Sequence, residues 1–486
     1  MTKRMKSQFS FFGAASAIYA LFYTFCLYKN TSGITYPFFV AGTLCYFFLS
    51  MKKLGVPYKK DSLFYLISVV LLGISNCCTD STPILLMNKL CIFVLTFILM
   101  LHTVYQDSGW NFPKYIRAIF QTIGGALLCI FSPLIDLASF FDAQKEKKTN
   151  RKNYFAYILL GVAISIPVLT VIILLLCGAD VVFRNIVEDL FSFDFSFRTI
   201  FGIAFLFFVV LILSYAFLSA LCKKRVPETV TRKNTLEPVI AITVNGMLCL
   251  VYLFFSMIQI LYLFIGNMQL PEGYTYSAYA RQGFFQLLTV CILNLILVLF
   301  CIAYFKENII LKITLTIISG CTFIMILSSA LRMFMYIARY NLTFLRIFVL
   351  WALAVIFLLM VGITIYIYFQ RFPLFFYSVA ITAVFYIGLS FSHPDYWIAR
   401  YNLTPEHTAY LDSYDIYDSE RYLTRLSADA APIILNETTN PYLSGNTDSL
   451  EDSAFSSYYR KISSKWDKMH LRNFNFSIYQ AGKYLE

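Results

Sequence analysis

Runs of apolar residues long enough to cross a bilayer alternate with short polar turns along the first 391 residues of this chain. The runs are Phe9 to Tyr28, Ile34 to Leu49, Leu63 to Cys78, Ile84 to Val104, Phe155 to Cys177, Ile200 to Leu221, Val239 to Phe264, Phe284 to Tyr304, Ile310 to Ala330, Ile347 to Phe369 and Pro373 to Phe391. A helix of about 20 apolar residues spans the hydrocarbon core. The pattern therefore predicts an all-α, polytopic bundle of eleven spans over residues 1–391. Pro83, Pro238 and Pro373 stand at the openings of three runs, where a missing N–H costs a helix nothing.

Two segments depart from this rhythm. Ala118 to Phe131 is apolar, contains Gly124-Gly125, ends before Pro133 and has basic clusters on both sides. One crossing would place a basic cluster on each face, so the region 118–135 is expected to be re-entrant or to lie in the interface. Between the fifth and sixth runs, Val181, Val182, Phe183, Ile186, Val187, Leu190 and Phe191 share one helical face, opposite Arg184, Asn185, Glu188 and Asp189. That pattern predicts an amphipathic surface helix. Beyond Phe391 the apolar positions thin out. Residues 392–486 read as a small, mostly helical extramembrane tail, with helical spacing over Ser419 to Leu435 and Ser453 to Met469.

Composition agrees. Hydrophobic residues make up 59% and charged residues 14% of the chain, far from the roughly 25% charged of a soluble domain. The net charge of +12 is unevenly spread: residues 1–391 hold 30 Lys and Arg against 14 Asp and Glu, residues 392–486 hold 9 against 13. Basic residues mark cytoplasmic loops. With the N-terminus inside, inner segments carry 22 of them and outer segments 7, which places the tail outside. The excess serves orientation, and no basic patch with interleaved aromatics points to nucleic acid. The opening Lys3, Arg4 and Lys6 precede a run without a small-residue cleavage site, which predicts an uncleaved first helix.

Candidate chemistry is sparse. All twelve cysteines precede residue 322 and none has metal-ligand spacing. No catalytic residue, cofactor or metal site is assigned, since nucleophile triads, phosphate loops and HExxH are absent. His393-Pro394-Asp395 matches the tripeptide of J-domain co-chaperones, yet it follows a span and precedes Tyr396 and Trp397, aromatics suited to the water interface. The Asp412, Asp415 and Asp418 repeat reads as a solvated acidic face. Within the spans, Lys89, Asn245, Gln259, Gln286 and Asn294 are costly in hydrocarbon and stand out for that reason. Lys89 is expected to snorkel, and the amides to join helices.

Four stretches carry a resemblance. They are YARQGFFQL (Tyr279 to Leu287), then Arg332-Met333 with Tyr336, Tyr340, Leu342, Thr343, Leu345 and Arg346, then Asp395, Ile398, Ala399, Arg400 and Asn402, and finally YLTRLSADAAP with Tyr422, Leu426, Ser427, Asp429 and Pro432. Together they resemble a bacterial family of multi-pass membrane proteins of unknown function, domain of unknown function four-one-seven-three, and its relative four-one-five-three. Two positions depart from that pattern: His393 in place of Asn and Asn341 in place of Gly. The resemblance implies an integral membrane protein with a C-terminal extramembrane portion and brings no activity. Arg281, Gln286, Arg332, Arg346, Asp395, Arg400 and Asp429 all fall near predicted outer ends of spans or in the tail. They are expected to form a rim on which the tail docks, with carboxylates paired to arginines.

These observations predict a non-enzymatic protein of the bacterial cytoplasmic membrane that meets an envelope protein through its outer tail. Transport of a small solute or lipid is the alternative, and a membrane-embedded envelope enzyme the third reading. Its immediate partner is the lipid bilayer. No small-molecule ligand is assigned.

Overall fold

A computed structural model describes the chain apart from residues 31, 108, 148–160, most of 162–175, 184–196, 225, 228–235, 262–275, 405–418, 437–454 and 486. The expected span Phe155 to Cys177, most of the expected surface helix and the Asp412 to Asp418 repeat lie outside the described residues. What is described is helical, and the one bridge between extended segments joins Leu236 and Phe305.

The helices are α1 (Thr2–Ser7), α2 (Phe9–Leu27), α3 (Thr35–Leu54), α4 (Ser62–Cys78), α5 (Thr82–Val104), α6 (Phe112–Leu128), α7 (Ser132–Lys147), α8 (Phe197–Cys222), α9 (Pro238–Gln259), α10 (Tyr276–Tyr304), α11 (Ile309–Tyr340), α12 (Phe344–Tyr368), α13 (Leu374–Phe391), α14 (Pro394–Asn402), α15 (Ala431–Ile434), α16 (Ser456–Asp467) and α17 (Phe476–Gly482). Eight of the described helices are long and apolar enough to cross a membrane. They suggest a membrane protein. The α6–α7 pair bends by 49° and would make a ninth span if it crossed as one.

Local chemistry sets the boundaries. Gly55 follows α3 at φ +81, and its N–H and that of Val56 return to Lys52 and Met51. Lys52 and Lys53 in that last turn oppose the helix dipole. Asn111 and Asn308 open α6 and α11 by accepting from the N–H of Lys114 and Ile310. One expectation is corrected here. The stretch Leu331 to Arg346, left between the expected runs Ile310 to Ala330 and Ile347 to Phe369, continues α11 to Tyr340, because Met333 and Ile337 bury on one helical face. Only residues 341–343 turn.

The chain divides into two compact units that interleave along the sequence. One comprises Met1–Cys77, Lys89–Thr229 and His470–Phe474, the other Cys78–Asn88, Val230–Met469 and Asn475–Glu486. In the first, α8 packs on α2 and α6, and α2 on α3. At one end of these helices Arg4 reaches the Leu54 carbonyl, Lys6 lies 3.5 Å from Asp136, and Lys223 meets the Cys129 thiol. At the other end the segment 470–474 straps the α2–α3 turn: Arg472 donates to the Tyr28 carbonyl and Ile34 N–H to the Phe474 carbonyl. Gly33 has φ +108, and a Cβ there would sit 2.8 Å from the Asn473 carbonyl carbon. Only glycine admits that strap.

In the second unit, α11 packs against α9, α10 and α12, and α12 against α13. Their core runs from Ala241 through Met360 to Leu374. A separate core gathers Ile398, Leu423, Leu426, Ile434, Phe455, Tyr458 and Ile462 into a helical cap over the 341–344 end of α11 and α12. The expected single helix Ser419 to Leu435 is broken there. Ser427 caps a short 3-10 turn, Ala428–Ala430, and Pro432 opens α15. Proline cannot sit in a helix interior without breaking its hydrogen-bond ladder.

Candidate functional site

The polar centre of the second unit is the carboxylate of Asp429, buried where the cap meets residues 79–81 and 393. Thr79 Oγ1 donates to Oδ2 at 2.5 Å, with His393 Nδ1 3.4 Å from the same oxygen. The Asp80 N–H donates to Oδ1 at 3.0 Å, and so does the Ser477 hydroxyl. A carboxylate offers about four lone-pair sites. All four are occupied by the fold. Burial raises the proton affinity of Asp429, but the contacts from His393, Ser477, Thr79 and Asp80 outweigh it and hold the carboxyl below its usual range.

Around this carboxylate the chain clasps itself reciprocally. As residue 80 donates to Asp429, the Ala428 N–H donates to Asp80 Oδ2 at 3.2 Å. Lys465 of α16 pairs with that same oxygen at 2.5 Å. Asn475 Nδ2 holds the Thr79 carbonyl, and Tyr458 OH holds the Ser427 carbonyl at 2.7 Å. Lys461 donates to the carbonyls of Arg425 and Leu426, freed where the expected helix breaks. Asp395, in the first turn of α14, accepts from the Ser427 N–H at 3.2 Å. Its burial pushes its carboxyl up, against the pull of that contact.

The residues expected at the rim make separate contacts. Arg346 lies 4.1 Å over the Tyr336 ring and donates to the Tyr340 and Asn341 carbonyls, so it caps the end of α11. Arg332 is buried and donates to Gln259 Oε1 at 3.1 Å. Arg400 is exposed, its guanidinium 5.6 Å over Trp397. Gln286 is exposed on α10. Arg281 belongs to the same helix, its side chain outside the described residues. The expected pairing of Asp395 and Asp429 with arginines is corrected: their partners among the described residues are hydroxyls, backbone N–H groups and His393. Backbone donors are fixed by the turns and lose no side-chain entropy on bonding, as arginine would.

Three of the four stretches that carried the resemblance meet here. Asn402 clamps Leu342, accepting from its N–H at 2.7 Å and donating to its carbonyl at 2.9 Å, while Tyr422 OH accepts from the Phe344 N–H. The model of a family described as a domain of unknown function (DUF4153) matches residues 66–437. The chain belongs to this family. No curated protein and no solved structure matches it. The DUF4153 match takes in the 79–81 turn, α14 and the 427–434 segment, so most of the clasp lies within it. Both departures from the expected pattern fall at positive φ, +72 at Asn341 and +49 at His393, where Gly and Asn are the easiest residues.

Within the helices the polar residues pair off. Asn294 accepts from Tyr252 OH and donates to Thr322, each at 2.9 Å. Gln259 accepts from Ser328 as well as Arg332. Asn245 Nδ2 lies 3.5 Å from the Cys301 sulfur. Lys89 is half-buried on α5, next to Asn88, whose Oδ1 accepts from Tyr386 and Ser390. An open groove of about 540 Å³ runs between α9 and α11, lined by Leu253, Met257, Ile317, Cys321 and Ile324, with Ser256 as its polar group. Asn294→Leu should destabilise the bundle by about 1 kcal/mol, read from unfolding in mixed micelles. A loss of several times that would give the amide more than a joining role.

Sequence reasoning missed Thr79, Asp80, Lys465, Asn475 and Ser477. One signal was available: Asp80 is the sole charge between Asp61 and Lys89, in the three-residue turn 79–81 that joins two apolar helices.

Proposed function

We propose that this DUF4153 protein is a non-enzymatic component of the bacterial cytoplasmic membrane, whose C-terminal cap is an outward-facing platform for an envelope partner. The observation that carries the reading is the saturation of Asp429. This buried carboxylate spends every lone pair on holding the cap to residues 79–81, and leaves none for a substrate. The reading takes eleven crossings with the N-terminus inside, and the sidedness has support from the two ends of the first unit: Arg4, Lys6, Lys59 and Lys223 gather at one, the 470–474 strap at the other. Contacts of Cys129 and Asp136 with Lys223 and Lys6 favour a re-entrant or interfacial 118–135 segment. Kinship with family four-one-seven-three belongs to the same reading.

Transport fits less well, since the amides of Gln259 and Asn294 are engaged and the α9–α11 groove is apolar. An embedded enzyme has one observation in its favour. Asp395 and Asp429 are pushed to opposite sides of the usual carboxyl range, the pattern of acid–base pairs.

In-cell photo-crosslinking from exposed Arg460 on α16 tests the proposal. A discrete protein adduct, together with labelling of Ser449→Cys by an impermeant thiol reagent in outer-layer-stripped cells, is expected. Labelling of that cysteine only after lysis would overturn the orientation. Solute flux in proteoliposomes that falls on changing Asn245 would replace the partner reading with transport.

A further inference from the structure

We infer that the cap is a pH-sensitive latch, in which protonated His393 holds it shut on the 79–81 turn and neutral His393 lets it loosen. This deepens the proposed function and rests on the docked cap. His393 occupies the joint where α13 ends and α14 begins. Its left-handed backbone fixes where the ring emerges. The side chain is 37% exposed while that of its partner Asp429 is 0% exposed. A proton can therefore reach the ring from water without the cap opening.

The charges around the ring leave it one main task. From the 3-10 turn comes Asp429, from its own helix Asp395, and from the end of α4 the Cys78 thiol. From the 79–81 turn comes Asp80, already paired with Lys465 of α16. Lys461 and Tyr458 of α16 stand next to the 425–427 carbonyls, and α17 contributes the uncharged Ser477. Asp80 thus has its own cation, and burial favours the protonated form of Asp395. Among the described residues, Asp429 is left with His393 as its cation. When the imidazole is neutral, a buried carboxylate depends on dipoles alone, which are weaker partners than a charged donor.

The direction follows from linkage. Contact with Asp429 raises the His393 pKa above its ordinary value, against the opposing effect of burial. A histidine with a raised folded pKa contributes stability that is full below its unfolded pKa and lost as pH rises through the folded one. The latch is therefore closed in mild acid and loosened in mild alkali.

Hydrogen exchange of the full-length protein in lipid nanodiscs tests this. Protection of amides 427–434 and 476–482, corrected for intrinsic exchange, should fall several-fold from about pH 6 to about pH 8.5. His393→Asn, which keeps a donor and cannot titrate, should flatten the profile, and Asp395→Asn should leave the fall in place. A flat wild-type profile overturns the latch, as does a fall that survives in His393→Asn or vanishes in Asp395→Asn. A cap unprotected at every pH would instead sink the docked cap itself. The wild-type titration needs no variant to fold.

Discussion

Asp429→Ala is expected to detach the cap and lower stability by roughly 3–5 kcal/mol, the cost of removing one member of a buried charged network. The change strands the Thr79 and Ser477 hydroxyls and the Asp80 N–H inside the cap, each orphan costing about 1–3 kcal/mol. His393, partly exposed, can turn to water and adds less. Limited proteolysis and hydrogen exchange should both show the loss at 427–434 and 476–482 while α12 and α13 stay protected. An unchanged cleavage pattern would mean that the cap is held by its apolar contacts and that the clasp is incidental. The same carboxylate sets the acid limit. Its depressed pKa contributes stability that is present above the ordinary carboxyl range and is lost only as pH falls through the lower folded value. Cap protection should therefore be greatest in mild acid, bounded below by Asp429 and above by His393.

Tyr458→Ala should have a comparable effect, about 3–5 kcal/mol, as for a large buried aromatic truncated in a core. The ring is fully buried among Leu423, Leu426, Phe455 and Ile462, and its hydroxyl holds the Ser427 carbonyl that opens the turn presenting Asp429. Tyr458→Phe keeps the ring and should cost only about 1 kcal/mol. Thermal melts of the two variants in detergent separate the contributions. Equal losses would place the energy in the hydroxyl rather than in packing.

Hydropathy made much of the architecture legible. The runs at Phe9, Ile84, Ile200, Phe284 and Pro373 became α2, α5, α8, α10 and α13 within a few residues or one or two turns, since each run is uniform and needs no partner to declare it. Helix ends were read less well. The predicted end at Ala330 fell ten residues short of Tyr340, because MFMYIARY looks interfacial in sequence yet buries Met333 and Ile337 in the fold. Helical spacing at Ser419 to Leu435 concealed a break that Pro432 and the capping hydroxyl of Ser427 impose. Among the candidate residues, Asp395 and Asp429 lie at the cap junction, where hydroxyls, backbone N–H groups and His393 stand in place of the arginines expected beside them.

The sequence by itself determined that this chain is an all-helical protein suited to a membrane, a member of the DUF4153 family, with a polar helical tail after its last apolar run. Those properties are sums over neighbouring residues, and each stretch states its own share. Only the tertiary structure decided which groups meet Asp429. Asp80 stands 349 positions away along the chain, and Ser477 and His393 come from other elements again. Hydrogen-bond partners are chosen by direction and distance in space, and nothing local in a serine, a turn or a histidine announces which carboxylate it will face.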